Sequence, residues 1–448
     1  MKMVLTVAAV AFLGMAAPAP AEMIQEQQDL RATIEALSRR IEEQDKRLQE
    51  LEAQQASPAA TAPDTASEEY RQAQRQAIQD VLAEMKTQDK ASKLPGWLDD
   101  LKFAGDLRLR YEYNGYNWGS TSDSDKKDRN RARYRLRFGV KKTWLDDQLE
   151  VGFRLASGEN NDPTSTNQSF TQGFSKKPVW IDLAYARYTP KDFKGFSIIA
   201  GKMARPWITN DIFFDSDVNP EGAWAQYKAA KMGMFQPFAG AGYFVVNESS
   251  GGDDSTMYIL QGGVKADITA DMVYTFAANY QEWTGFSASG LSPRGNANPL
   301  SRIPGMRIVN LSNNLDVAEV FGKPLSVFGD FAYNFGEDDP NGDYKDQNKA
   351  FAAGVKWGKN KKKGDWSVKY RYGYVEANAL PGAFVDSDFG FANRQGNSIG
   401  AEYNLLDSLT VGVDAYLTEP IFSPTTNSGS SIREDLTTTI MANLIWKF

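Results

Sequence analysis

The chain has 448 residues, 42% hydrophobic and 12% aromatic, and its 57 acidic and 50 basic residues give a formal net charge of −7. A mean hydropathy of −0.49 is too polar for a bundle of membrane helices, and the acidic balance argues against general nucleic-acid binding, which rests on a basic surface. With no Cys and no His, a Ser-His-Asp triad, a Cys nucleophile and the usual zinc sites are excluded, so the expectation is a non-enzyme without cofactor or metal.

The chain opens with Lys2, an apolar run over 4–17 and the small-residue pattern Ala19-Pro20-Ala21, which reads as a signal peptide over 1–21. A spanning anchor would need roughly 20 apolar residues and meets prolines instead. Over 22–56, Leu30, Ile34, Leu37, Ile41, Leu48 and Leu51 step by alternating fours and threes, the heptad seam of a periplasmic coiled coil. Gln44 occupies one core position of the seam, where a polar residue fixes register or oligomer state. An amphipathic helix lying on its own barrel is the alternative for this stretch. Pro58 and Pro63 break helix in a Pro/Ala/Thr linker over 57–66. A second helix is expected over 67–94, opened by a Thr65/Glu68 capping box and ended by Leu94-Pro95-Gly96, with Tyr70, Ala73, Ala77, Val81 and Met85 on one face.

From 97 to 448 the period changes to two. The first strand sets Phe103, Leu107, Leu109, Tyr111 and Tyr113 on one face against Lys102, Asp106, Arg108, Arg110 and Glu112 on the other. The second repeats this with Tyr134, Leu136, Phe138 and Val140 against Arg131, Arg133, Arg135 and Arg137. A soluble sandwich and a membrane barrel share such alternation, because the barrel merely turns it inside out. Repetition decides between them. Sixteen such segments are separated by tight turns, as at Leu145-Asp146-Asp147, Lys231-Met232-Gly233 and Leu406-Asp407, alternating with long polar loops at 117–130, 159–177, 204–220, 285–303, 377–395 and 420–434. Short periplasmic turns and long external loops give that rhythm in an all-β transmembrane barrel of even strand number. Tyr370, Tyr372 and Tyr374 are expected to face lipid and the aromatic girdles.

The last strand places Ile440, Ala442, Leu444, Trp446 and Phe448 on one face. Here the sequence resembles outer-membrane proteins at large, which commonly finish in a strand with terminal Phe. That resemblance implies recognition of Trp446 and Phe448 by the barrel-assembly machinery. The stretch from Trp97 to Glu112, with Gly105-Asp106-x-Arg108-x-Arg110-Tyr111-Glu112 at its heart, resembles the first strand of a family of bacterial porins in which a coiled coil precedes the barrel. More broadly the chain is similar to the general trimeric porins with sixteen strands, which implies a homotrimer in outer-membrane lipid and a third external loop folded into the lumen.

The narrowest part of a pore decides what passes. Arg108, Arg110, Arg131, Arg133, Arg135, Arg137 and Arg154 form the candidate basic wall, and Asp211, Asp215, Asp217 and Glu221 of the third long loop are the candidate acidic counterpart. Trp207, Phe213 and Phe214 mark that loop as one that packs against something. The bland readings are solvated lumen arginines paired with neighbouring strands, and loop acids that bind calcium or decorate the exterior. The primary reading is an outer-membrane porin of Gram-negative type passing small hydrophilic solutes by diffusion, with an anion bias. Its rival is a structural tether, with the coiled coil linking the barrel to peptidoglycan.

Overall fold

The computed structural model describes residues 101–118, 128–286, 289–296, 303, 305–336, 344–422 and 436–448. The expected signal peptide, coiled coil, linker and second helix, over 1–94, lie outside the described residues. In chain order the strands are β1 Lys102–Trp118, β2 Arg129–Trp144, β3 Leu149–Ala156, β4 Gln168–Ser169, β5 Trp180–Tyr188, β6 Phe196–Lys202, β7 Glu221–Lys228, β8 Phe235–Asn247, β9 Ser255–Asp267, β10 Met272–Thr284, β11 Met306–Val320, β12 Lys323–Asn334, β13 Lys349–Gly358, β14 Trp366–Val375, β15 Arg394–Asn404, β16 Leu409–Pro420 and β17 Leu436–Lys447. All but β4 pair antiparallel with their sequence neighbours around one ring, a closed barrel of sixteen strands among the described residues. β4 is a two-residue piece of the second long loop that takes over the pairing with β2 where β3 ends, at Arg133↔Ser169.

Closure comes from β1, which pairs with β2 on one side and with β17 on the other, from Asp106↔Lys447 up to Trp118↔Leu436. Phe448 extends this seam: Gly105 N–H donates to the Phe448 carbonyl (2.8 Å) and Phe448 N–H to the Gly105 carbonyl (3.1 Å). The position must be glycine, because a Cβ there would stand 2.5 Å from both the Arg137 carbonyl and the Phe448 ring.

Exposure settles which face is which. On β1, Leu109 and Tyr111 are 44% and 55% exposed while Arg110 and Glu112 are 5% and 1% exposed. The apolar face therefore looks outward and the charged face inward, the inversion that defines a membrane barrel. Tyr370, Tyr372 and Tyr374 share the outer face, alternating with inward Arg371 and Gly373.

The lumen is not polar throughout. Met257 and Ile259 on β9, Trp283 on β10, and Met306 and Ile308 on β11 are inward and fully buried. They receive two long loops that fold into the barrel, 203–220 and 376–393, which contribute Trp207, Ile212, Phe213, Phe214, Leu380, Val385 and Phe389 to one apolar cluster. Inward Gly240 and Gly242 on β8 leave room for the Trp224 ring, which a Cβ at Gly240 would meet at 2.1 Å.

Gly105→Val is expected to destabilise the closed barrel by about 1–3 kcal/mol through overpacking, read as loss of the heat-modifiable band on an unboiled denaturing gel. Gly329→Val on β12, where an added Cβ meets nothing within 4 Å, should leave that band in place.

Candidate functional site

The register of β1 on β2 sets Arg108 opposite Arg135 and Arg110 opposite Arg133, with Asp106 opposite Arg137 and Glu112 opposite Arg131. Like charges facing each other across a pair of strands are unfavourable, and the two carboxylates relieve this by each taking two guanidiniums. Asp106 accepts from Arg135 (2.9 Å) and Arg137 (2.6 Å). Glu112 accepts from Arg133 (3.1 Å) and Arg131. Arg154 on β3 pairs with Asp182 on β5 at 2.5 Å. Arg110 reaches Asn443 on β17 (2.8 Å) and Asp388 of the 376–393 loop (3.2 Å). Arg108 donates to Asn167 at 2.6 Å and, among the described residues, forms no ion pair and keeps its buried Nε without a partner.

The third long loop, 203–220, is anchored to the far wall through the backbone of Ile208 and through the backbone and side chain of Asn210. Ile208 N–H donates to Gln261 Oε1 (3.1 Å) and its carbonyl accepts from Gln261 and Asn279; Asn210 donates through its backbone and side-chain nitrogens to Asp330 (3.0 Å each). Trp207 wedges among Phe214, Phe244 and Trp224, with ring centroids 5.0, 5.4 and 6.5 Å away. Of the four acidic candidates, Asp217 reaches the basic wall, 3.7 Å from Arg137. Asp211 pairs with Arg205 inside its own loop (3.1 Å), and Glu221 with Lys202 (2.8 Å). Asp215 is buried and accepts from the backbone of Asp217 (2.8 Å) and Ser387 (3.2 Å).

That last bond belongs to a joint between the two loops which sequence reasoning did not foresee. Asp215 N–H donates to the Phe384 carbonyl (2.8 Å), Asp386 N–H to the Ile212 carbonyl (3.1 Å), and the Phe214 and Phe384 rings stack at 5.7 Å. Asp388 of the 376–393 loop pairs with Arg110, and Asp386 lies 3.6 Å from Arg371 of β14. The signals were present: Asp386-Ser387-Asp388 in a loop rich in Gly, Ala and Phe, and Arg371 between two outward tyrosines. A cavity of about 740 Å³ lies between the 157–166 segment, the third loop and the 289–294 segment, and another of about 290 Å³ is lined by Glu112, Arg131, Arg133, Asp388 and Arg394.

Burial, then the Asp386 and Asp217 carboxylates beside it, pushes the Asp215 carboxyl well above the ordinary range. Burial likewise lifts Asp386, to about 6, against the pull of Arg371. Asp388 is held low by Arg110 and Arg108 even though its burial works the other way.

A closed antiparallel barrel with lipid-facing apolar strands, a charged lumen and loops folded into it is a porin-type outer-membrane channel. A porin family model, described as "Putative porin", matches residues 120–299 and 303–437, and the chain belongs to that family. Sequence comparison with curated proteins returns no match. Among solved structures the chain is similar to OprB of Pseudomonas putida at high pH, with 12% identity and a TM-score of 0.50 over 78% of this chain and 94% of that one. It is also similar to the trimer form of OmpT of Vibrio cholerae (11% identity, TM-score 0.43, 78% and 100% covered). OmpF of Salmonella typhi complexed with daunomycin is a further neighbour (12%, 0.44, 78% and 97%). The family and the fold make this a porin of the outer membrane.

A carboxyl whose folded pKa is raised contributes stability while protonated and loses it as pH rises through that raised value. The joint between the loops is therefore expected to loosen as pH climbs through about 6, the value to which Asp386 is lifted. Single-channel conductance in planar bilayers should rise or flicker as pH passes that value and Asp386→Asn should flatten the response; a native channel indifferent to pH would refute the link. Since the chain has no cysteine, an oxidised Phe214→Cys/Phe384→Cys pair should likewise abolish the response.

Proposed function

We propose that the barrel passes small hydrophilic solutes by diffusion and prefers anions. One observation carries this reading: β1 and β2 present six arginines to the lumen (Arg108, Arg110, Arg131, Arg133, Arg135, Arg137) against two carboxylates on the same strands, Asp106 and Glu112. Fixed charge in a confined aqueous path raises the local concentration of the opposite ion. Asp217 and Asp388 trim the excess without cancelling it. In this reading size selection falls to the third loop and to the 376–393 loop joined to it.

Homotrimer formation is part of the proposal. β3, β5, β6 and β7 have 8, 9, 7 and 8 residues, at or below the roughly 9–11 that a tilted strand needs to cross a bilayer. A neighbouring copy would cover this low stretch of wall. The heptad seam over 22–56 supports a second, compatible role, a periplasmic coiled coil directed at the cell wall, and the aromatic ending Trp446 and Phe448 supports recognition by the assembly machinery. Deleting 22–93 should leave conductance intact; loss of envelope attachment on that deletion would favour the tether.

In planar bilayers with a salt gradient, the reversal potential should take the sign of anion selectivity. Removing one charge roughly 6 Å from a permeating ion in water changes its energy by about 0.7 kcal/mol. Arg135→Ala and Arg154→Ala should thus each lower the preference about threefold; unchanged selectivity in both would refute the anion bias. Absence of any channel from folded protein would refute the pore.

A further inference from the structure

The short turns carry one more feature that pore function does not use. The connection between β13 and β14 places Lys359, Lys361, Lys362 and Lys363 within five residues, all exposed. The carboxylates that hold this turn accept its backbone N–H groups, and Asp365 also lies 3.9 Å from the Lys323 ammonium at the start of β12. Asp365 accepts from Lys361 N–H (3.1 Å) and Lys362 N–H (3.0 Å), and Asp407 from Lys363 N–H (2.6 Å). Gly364, at φ +83°, donates to the Asn404 carbonyl (2.9 Å), so the turn is fixed on the neighbouring β15–β16 connection. None of the four ammonium groups forms an ion pair among the described residues. Two lysines of other short turns differ: Lys191 pairs with Asp146 (3.0 Å) and Lys231 with Asp267 (2.5 Å).

The turn hangs below a cluster of outward rings. Trp357 and Trp366 meet edge-on at 4.9 Å, Phe321 stands against Trp357 at 6.5 Å and is 91% exposed, and the Lys323 ammonium lies 5.6 Å from the Trp366 ring. Amphipathic rings of this kind sit at headgroup level, and lysines just beyond them meet the phosphate layer.

We propose that the rigid β13–β14 turn is a binding site for anionic phospholipid headgroups of the periplasmic leaflet, with the Lys359, Lys361, Lys362 and Lys363 ammonium groups as the phosphate partners. The inference rests on the short turns facing the periplasm. It is independent of what the lumen conducts. The aromatic cluster favours lipid over a soluble or cell-wall anion, because it sets the height of the lysines at the bilayer surface.

The test is native mass spectrometry of the full-length protein titrated with phosphatidylglycerol, with phosphatidylcholine and with soluble glycerol phosphate. Phosphatidylglycerol should be retained in preference to phosphatidylcholine. Each Lys→Gln change in the turn should weaken that retention by up to about fivefold, the effect of roughly one lysine at an anionic surface. The four-fold variant Lys359→Gln/Lys361→Gln/Lys362→Gln/Lys363→Gln should lose the preference while keeping the heat-modifiable band and the native conductance. Lys191→Gln/Lys231→Gln, at paired lysines, should keep the preference. Equal retention of both lipids by the native protein, an undiminished preference in the four-fold variant, or capture of glycerol phosphate as strong as that of the lipid would overturn the proposal.

Discussion

A strand surrounded by hydrocarbon has no water to satisfy its amides, so every N–H and C=O along it needs a strand on each side. The pairing of β1 with β17 meets this requirement for the last open edges, and the other features follow from the ring that it closes. Closure fixes the strand number and hence the width of the interior. It also forces each strand to give alternate side chains to lipid and to lumen. An interior of that width is wider than strand side chains alone can fill, and here the 203–220 and 376–393 loops occupy part of it. The loops do so as ordinary protein core does, by burying Trp207, Phe213, Val385 and Phe389 against inward apolar residues of β7–β11.

This divides the interior into two chemically distinct halves. One half is packed and apolar, and it serves as a mounting for the loops. The opposite half is a guanidinium array in which Asp106 and Glu112 each bridge two arginines, while Asp217 and Asp388 approach from the loops. The loops thus bring acidic groups up against the basic wall, and the field across the remaining aqueous path is shaped by short ion pairs as well as by opposed arrays. Arg108, held by Asn167, forms no ion pair among the described residues.

Much of this was legible in the residues. Period-two alternation and the rhythm of tight and long connections located the strands, since both are direct consequences of pleating and of the two different sides of the membrane. Trp207, Phe213 and Phe214 announced that the third loop packs. The apolar half of the lumen was not legible. Alternation is informative only when the two faces differ, and on β9 and β11 both carry apolar residues, as Met257 and Ile259 alternate with Tyr258 and Leu260. The partnership of Asp215 with Phe384 and Ser387 was hidden for another reason: backbone hydrogen bonds between distant loops leave no trace in residue type. Acidic residues in one loop could not by themselves say which would reach the wall, because Asp211, Asp217 and Glu221 differ only in where the backbone carries them.

The seam between β1 and β17 also sets an order of events in time. Every other strand in the ring pairs with sequence neighbours and can zip up as local hairpins, whereas the Arg110–Asn443 bond ties together residues 333 positions apart. Bringing such distant segments together carries the largest loop-closure entropy in the molecule. Until the β17 segment has arrived, β1 presents a bare edge able to pair with any other strand. The interval between hairpin formation and sealing is therefore when this chain is most exposed to misassembly, and the small opening at Gly105, shaped to receive Phe448, is where that interval ends.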